Sequence, residues 1–241
     1  MKQIISPNND YIRDLVKLRE RKFRDQKQKF IVEGYHLVNE ARTSNYLKQV
    51  LITDEKDCID EVENIMVSEA IIKKLASTLT PQPIIGICDF FPDYEISGNR
   101  ILLLDDLQDP GNLGTLVRSS LGFGIDLLVL GLNSVDIYND KFLRATQGAI
   151  FKTRIIKKDL LKTIEILKQK RLIIVGTSLT GRPLRKLSRL DKYALILGNE
   201  GRGIREEILK ITDMNVYVET SPKLESLNVA VAGSIIMHHL D

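Results

Sequence analysis

The chain is poor in the residues that serve metal, redox and membrane chemistry. Of its 241 residues only two are cysteine and three histidine. Cys58 and Cys88 are too few and too isolated for a zinc site or a disulfide framework, so they read as free thiols in a reducing compartment. His36, His238 and His239 have no ligand spacing, since adjacent histidines leave a helix in different directions. No metal is expected. No run approaches eighteen apolar residues, and Met1–Pro7 lacks the apolar core and cleavage site of a secretory signal. A cytoplasmic protein without membrane contact is therefore expected. No Gly-x-Gly-x-x-Gly follows a strand-like run, which weakens a nicotinamide-dependent oxidoreductase. The stretch Gly176–Pro183 has phosphate-loop glycine spacing but Arg182-Pro183 where Lys-Ser/Thr is required. Pro183 offers a phosphate site neither hydroxyl nor amide hydrogen. Internal repeats and low-complexity segments are absent.

What is present is a composition 43% hydrophobic, enough to build the core of one large domain or two modest ones. The net charge of +3 is unevenly spread: +5 over residues 1–49, −7 over 50–95 and +5 thereafter. Arg21, Arg24 and Lys27 belong to a cationic strip between Arg19 and Lys29. That strip reads either as solvated helix surface or as a phosphate contact. A second concentration, Lys141, Arg144, Lys152, Arg154, Lys157 and Lys158, is suited to one edge of a polyanion site.

The first part of the chain reads as a small α/β unit. A polar cap at residues 6–10 leads into a helix from Tyr11 to Leu18. Strands are expected over 47–53 and 84–91, with a helix at 68–75 between them. Pro92–Arg100 is polar and turn-rich, which sets the expected division: a domain at 1–92, a linker at 93–99 and a second domain at 100–241. Beyond it come unbroken apolar runs, Ile101–Leu104, Ile125–Leu130, Leu172–Val175, Tyr193–Leu197 and Val216–Val218. Helical stretches at 113–121, 160–170 and 204–211 alternate with them. Runs without alternation suit strands buried on both faces, so the fold class is α/β, a mostly parallel sheet with helices on both sides.

Three stretches are placed to carry chemistry. Gly198-Asn199-Glu200-Gly201-Arg202-Gly203 follows a buried strand. Its glycines let the backbone turn sharply and let a ligand come close, while Asn199 and Glu200 offer polar groups at the carboxyl edge of the sheet, where α/β proteins bind ligands. A plain glycine turn into a helix explains the same letters. Asp105 to Arg118 runs from a strand through Pro110-Gly111 into a helix on which Gly114 and Arg118 share a face. Arg118 there is either a substrate contact or a salt-bridge partner of Asp105 or Asp109. In Ser221–Ile236, Ser226 or Asn228 caps a helix of small residues that lets another backbone come close.

Taken together and in this order, Asn112-x-Gly114-x-x-x-Arg118, Gly198-Asn199-Glu200-Gly201-x-Gly203 and Ser226-Leu227-Asn228-Val229-Ala230-Val231-Ala232 closely resemble the three motifs of the SpoU (TrmH-like) branch of the SPOUT RNA methyltransferases. Arg144–Ala149 extends the likeness, with Gln147 where a smaller residue is commoner. Phe30–Gly34 and Thr80-Pro81-Gln82 resemble the family's substrate-binding domain of ribosomal-protein L30e type, with Pro83 in place of the usual glycine. The resemblance implies a C-terminal deep trefoil knot, a rare exception among folds. It also implies a homodimer through that domain and S-adenosylmethionine held by Thr177, Gly198, Asn199, Gly203, Val218 and Leu227. The implied reaction is methyl transfer to a ribose 2′-hydroxyl of RNA, in 23S rRNA rather than tRNA. Arg118, Asn112, Glu200, Ser226 and Asn228 would form the catalytic set, and Arg21, Arg24, Lys27 and Arg144 the RNA contacts. Because a guanidinium holds its proton, Arg118 is expected to grip a phosphate and stabilise the oxyanion, with Glu200 as orienting residue or alternative base. The rival of another class is an inactive RNA-binding or ribosome-assembly factor on the same fold.

Overall fold

The computed structural model describes residues 1–224 and 226–241. They divide into two units, residues 1–92 with 136–151, and residues 93–135 with 152–241.

In the first unit, β1 (Lys2–Ile4), α1 (Asp10–Lys17), α2 (Arg21–Lys27), β2 (Lys29–Glu33), α3 (Gly34–Thr43), β3 (Leu47–Ile52), β4 (Glu63–Val67), α4 (Glu69–Leu75) and β5 (Ile84–Asp89) surround a sheet of order β1-β4-β3-β5-β2. The sheet is mixed: β5 runs antiparallel to both β2 and β3. The cap expected before the first helix is Asn9, whose side chain accepts the Tyr11 N–H at 2.9 Å and satisfies one of the donors a helix start leaves open. Ile12 and Leu15 then fall inward, packing with Ile71, Leu75 and Ile85.

The second unit contributes β6 (Arg100–Leu104), α5 (Pro110–Gly122) and β7 (Leu127–Leu130). The next helix, α6 (Asp140–Thr146), belongs to the first unit. Residues 136–151 were expected with the C-terminal domain, and their side chains explain the correction. Tyr138 stacks on Phe90 with ring centroids 3.7 Å apart, Phe151 joins Phe30 and Phe91 in the same aromatic cluster, and Asp136 pairs with Arg24 at 2.5 Å. Apolar periodicity cannot reveal a segment whose aromatic partners lie so far back in the chain.

The rest of the second unit is β8 (Ile155–Lys157), α7 (Leu160–Gln169), β9 (Ile173–Pro183), β10 (Tyr193–Leu197), α8 (Glu206–Leu209), β11 (Met214–Tyr217) and α9 (Val229–Leu240). Its six strands lie in the order β11-β9-β10-β6-β7-β8, and every pairing is parallel. Alternate residues of the buried strands serve opposite faces. Ile101, Leu103, Ala194 and Ile196 pack with Ile164 and Leu167 of α7 and Ile208 of α8. On the other face α9 comes so near that a Cβ on Gly233 would stand 2.4 Å from Leu197 Cδ1 and 2.8 Å from Leu116 Cδ2 of α5. The small residues of α9 thus serve close packing, as their pattern predicts.

A local expectation fails: the helix expected over 204–211 shrinks to the single turn of α8, and Arg205 just before it is held by Asp105. Gly176–Pro183, which lacks the residues a phosphate loop requires, is the extension of β9.

Candidate active site

Strand register assembles the site. Leu104 of β6 pairs with Leu197 of β10, so both strands end level, and Val175 of β9 pairs with Leu195. The segments beginning at Asp105, Thr177 and Gly198 therefore emerge at one carboxyl edge, the usual place for a ligand in a parallel sheet. Thr177 marks that edge by donating its hydroxyl to the Ile196 carbonyl at 3.1 Å.

The glycine loop closes on itself. Asn199 N–H donates to Gly203 O at 3.0 Å and Gly203 N–H returns to Asn199 O at 2.9 Å. The Asn199 side-chain oxygen accepts the amides of Gly201 and Arg202 at 3.0 and 3.3 Å, and its Nδ2 donates to Asp106 O at 2.9 Å. Closure this tight explains Gly198: a Cβ there would sit 2.1 Å from the Gly203 carbonyl carbon. Two ion pairs pin the loop to the end of β6. Arg205 Nε lies 2.8 Å from Asp105, which is fully buried, and Arg202 lies 2.6 Å from Asp106. Asp105 is thus unavailable to Arg118, and Asp109 spends Oδ1 on the Asn112 amide at 2.7 Å. These two braces were missed from sequence; the available signal was an acidic pair directly after an apolar strand, matched by one arginine in the glycine loop and one just after it.

A directional chain of hydrogen bonds joins the three motif segments. Glu200 accepts from the Gln108 and Asp109 amides at 3.3 and 3.1 Å and from Asn112 Nδ2 at 3.2 Å. Asn112 Oδ1 accepts in turn from Asn228 Nδ2 at 2.9 Å. Asn228 Oδ1 caps α9, accepting the Ala230 and Val231 amides at 2.9 and 3.3 Å. The cap of this helix is therefore Asn228 and not Ser226. Because Glu200 only accepts and the cap requires Asn228 Oδ1, the orientation of both amides is dictated. Burial opposes ionisation of Glu200, yet hydrogen bonds from its own backbone amide, those of Asp109 and Gln108, and the Asn112 side chain outweigh it and hold the carboxyl below its usual value. Such a group is a poor proton acceptor.

Around this frame opens a cavity of about 720 Å³, within the ~300–1,000 Å³ range of small-molecule and cofactor pockets. Thr177, Gly198, Asn199, Gly203, Val218 and Leu227, the six residues expected to hold a cofactor, all line it, as do Glu200, Ser226 and Asn228. Asn112 stands behind the wall, reached through Glu200 and Asn228. Arg118 is not on the wall. It is exposed on α5 and has no hydrogen-bond or ion-pair partner among the described residues, Glu200 included, while Gly114 one turn earlier is buried.

Among the expected RNA contacts, Arg24 does not belong to an exposed cationic surface. It is 6% exposed and donates to Leu18 O at 2.8 Å, Arg19 O at 2.6 Å and Asp136 at 2.5 Å, which makes it an internal tie rather than a surface cation. Arg21 and Lys27 are exposed, the former 3.5 Å from Asp25. Arg144 donates to Ser77 Oγ at 2.5 Å and Asp140 at 2.9 Å. Of the later cations, Arg154 donates to Glu95 O and Ser97, Lys157 donates to Ser134 O and Lys158 pairs with Asp93. Among the described residues no His/Cys/Asp/Glu group is arranged for a metal ion, and no helix is long and apolar enough to cross a membrane.

A parallel sheet whose carboxyl edge carries a self-closed glycine loop, tied to a helix with Asn112 in its first turn and to an Asn-capped C-terminal helix, defines a class. The SpoU rRNA methylase family model matches residues 99–238, and the chain belongs to that family. Residues 9–86 match the MRM3-like substrate binding domain. A particular relative is the Bacillus subtilis 23S rRNA (guanosine(2553)-2′-O)-methyltransferase RlmP, 37% identical over 246 aligned residues covering 100% of this chain and 99% of the relative. A TrmH-family structure from Porphyromonas gingivalis superposes with a TM-score of 0.88 at 31% identity, covering 98% of each chain. The AdoMet-bound rRNA methyltransferase of Sinorhizobium meliloti shares the fold, with a TM-score of 0.87 at 23% identity over 99% of this chain and 97% of that one.

Proposed function

We propose that the chain transfers a methyl group from S-adenosylmethionine to a ribose 2′-hydroxyl of RNA, with 23S rRNA favoured over tRNA as substrate. The observation that carries this reading is the Glu200–Asn112–Asn228 chain, which ties the Asn112 segment to the glycine loop and the Asn228 segment that both line one cavity at the sheet edge. The cavity suits the donor chemically. Main chain and aliphatic groups such as Val218 and Leu227 suit an adenine ring, and Thr177, Ser178, Thr220 and Ser226 are placed around it for polar edges. When bound, the donor supplies an electrophilic methyl on a sulfonium.

The residues of the chain align and stabilise. Held at near-attack distance, hydroxyl and methyl gain the advantage of an intramolecular reaction. Glu200 stays ionised and spends its oxygens on the 108–112 turn. The work of gripping a phosphate beside the ribose and stabilising the developing alkoxide then falls to Arg118, whose guanidinium has no partner among the described residues. The proton leaves to phosphate or water.

Because Arg118 is off the cavity wall, the same reading includes a homodimer in which a second copy brings Arg118 to the pocket. Exposed Leu121 on α5 and exposed Val231 and Ile235 on α9, the last two sharing a face at four-residue spacing, supply its apolar surface. The trefoil knot of the C-terminal segment belongs to this reading too, and Arg21 and Lys27 remain the proposed RNA cations. The test is incubation with labelled S-adenosylmethionine and rRNA lacking this modification, followed by nuclease digestion. Label in a 2′-O-methyl nucleoside is expected. Label on a base, or none with rRNA that other methyltransferases accept, would defeat the reading.

A further inference from the structure

The first unit has a smaller cavity of its own, about 290 Å³, near the ~300 Å³ lower bound for small-ligand sites. Leu18, Ile31 and Leu75 give it apolar surface, while Arg19, Arg24, Glu33 and Asp140 give it charges of both signs. Arg24 is the informative member. Its two terminal nitrogens are engaged by Leu18 O, Arg19 O and Asp136, yet its buried Nε–H has no partner among the described residues. Leaving a charged donor buried and unmet costs stability, so a persistent one marks a place where a ligand acceptor belongs. Ser77, also on the wall, begins a loop fixed by Glu33, which accepts the Ser77 amide at 2.5 Å and the Thr78 hydroxyl at 3.0 Å. Two residues further on, Leu79 is entirely exposed.

We propose that this cavity receives one unstacked nucleobase of the bound RNA, with Arg24 Nε–H donating to a ring acceptor and Glu33 or Asp140 accepting from the base's N–H groups. The inference rests on the reading of the chain as an RNA-acting enzyme. A phosphate is disfavoured by the two carboxylates, and a simple cation by the two arginines. A nucleobase presents donors and acceptors side by side on a flat apolar ring, which is the combination these walls match, and bases removed from the stack are read in this way. Leu79, on a loop rooted at the cavity's rim, is the wedge that fills the gap the base leaves, as apolar side chains do between base steps.

The intact protein, labelled with ¹⁵N-arginine, tests this. The Arg24 Nε–H resonance is assigned by its disappearance in Arg24→Lys, then followed as each of the four ribonucleoside 5′-monophosphates is added at millimolar concentration, with inorganic phosphate as control. At least one nucleotide should move the resonance and phosphate should not. Ser77→Trp, which fills the rim, should weaken that response roughly tenfold, and Leu79→Ser should leave it intact. A resonance unmoved by all four nucleotides, moved equally by phosphate, or indifferent to Ser77→Trp overturns the proposal. S-adenosylmethionine titrated into the same sample separates the two readings. Donor binding without an Arg24 response removes only the base pocket, and an Arg24 response without donor binding removes only the methyl-transfer reading.

Discussion

Replacing Asn228 by alanine and by aspartate separates what this side chain does for the fold from what it does for the site. Alanine removes two things: the cap on α9, worth about 1 kcal/mol, and the 2.9 Å bond to Asn112, worth about 1 kcal/mol net. The sum of ~2 kcal/mol corresponds to a fall in Tm of ~4–8 °C for a domain of this size. Aspartate keeps an oxygen for the Ala230 amide, and its charge suits a helix start. Its folding should therefore stay within ~1 kcal/mol of the parent. The site cannot be satisfied, however. The introduced carboxylate has no hydrogen to donate, so it faces Asn112 Oδ1, or Asn112 turns over and presents that oxygen to Glu200. One acceptor–acceptor contact survives either way, and Glu200 loses its grip on the turn or the helix loses its tie to it. The expected result is a near-normal melting curve for Asn228→Asp with methyl transfer reduced at least ~10-fold, a loss of ~1.4 kcal/mol in transition-state stabilisation. Thermal unfolding and single-turnover transfer assays measure the two quantities. Full activity in Asn228→Asp, or equal damage to stability from both variants, would refute the hydrogen-bond chain as the organising element.

Arg118→Ala should lower transfer ~10²–10³-fold, as loss of an oxyanion-stabilising donor does, while calorimetry shows the affinity for S-adenosylmethionine little changed. Parallel loss of both would make Arg118 structural. Glu200 has its folded carboxyl held below the usual value, so its stabilising contribution is complete above the unfolded pKa, near 4.5, and is lost as pH falls through the lower folded value. The stability gap between parent and Glu200→Gln, measured by urea unfolding, should therefore narrow as pH is taken from 7 toward 3; a gap independent of pH contradicts the assignment. Arg24→Met should destabilise by ~3–5 kcal/mol by leaving Asp136 unpaired. Charge reversal at Arg21 and Lys27 should weaken RNA binding and flatten its salt dependence without unfolding the protein, and an unchanged slope would remove α2 from the interface.

The layered part of this fold was open to reading because β6, β7 and β10 are unbroken apolar runs, the signature of strands covered on both sides. The glycine loop was legible for a related reason: Gly198, Gly201 and Gly203 come directly after such a strand, at the edge where a parallel sheet binds ligands. Short strands escaped. β1 and β8 have three residues each, and the exposed Glu63 of β4 dilutes its apolar signal. Arg24 misled because a cation within a cationic strip reads as surface until Asp136, 112 positions later, is known to meet it. Asp105 and Asp106 had an acidic pair after an apolar strand as their only signal as structural braces, their partners Arg205 and Arg202 lying about a hundred residues on. Spacing on α5 placed Gly114 and Arg118 on one face, but only the folded structure shows one buried and the other exposed. Long-range pairing of polar groups leaves no periodic trace, and that is where the unread part of the site lies.

The central claim is that three distant segments build one pocket for a methyl donor. Titration of S-adenosylmethionine into the ¹⁵N-labelled protein, following the backbone amides of Thr177, Gly198 and Leu227, tests it most directly. All three resonances should shift together along a single binding curve, and Gly198→Ala, whose Cβ has no room in the closed loop, should abolish the response. Independent curves for the three amides, or no response from any of them, would contradict it.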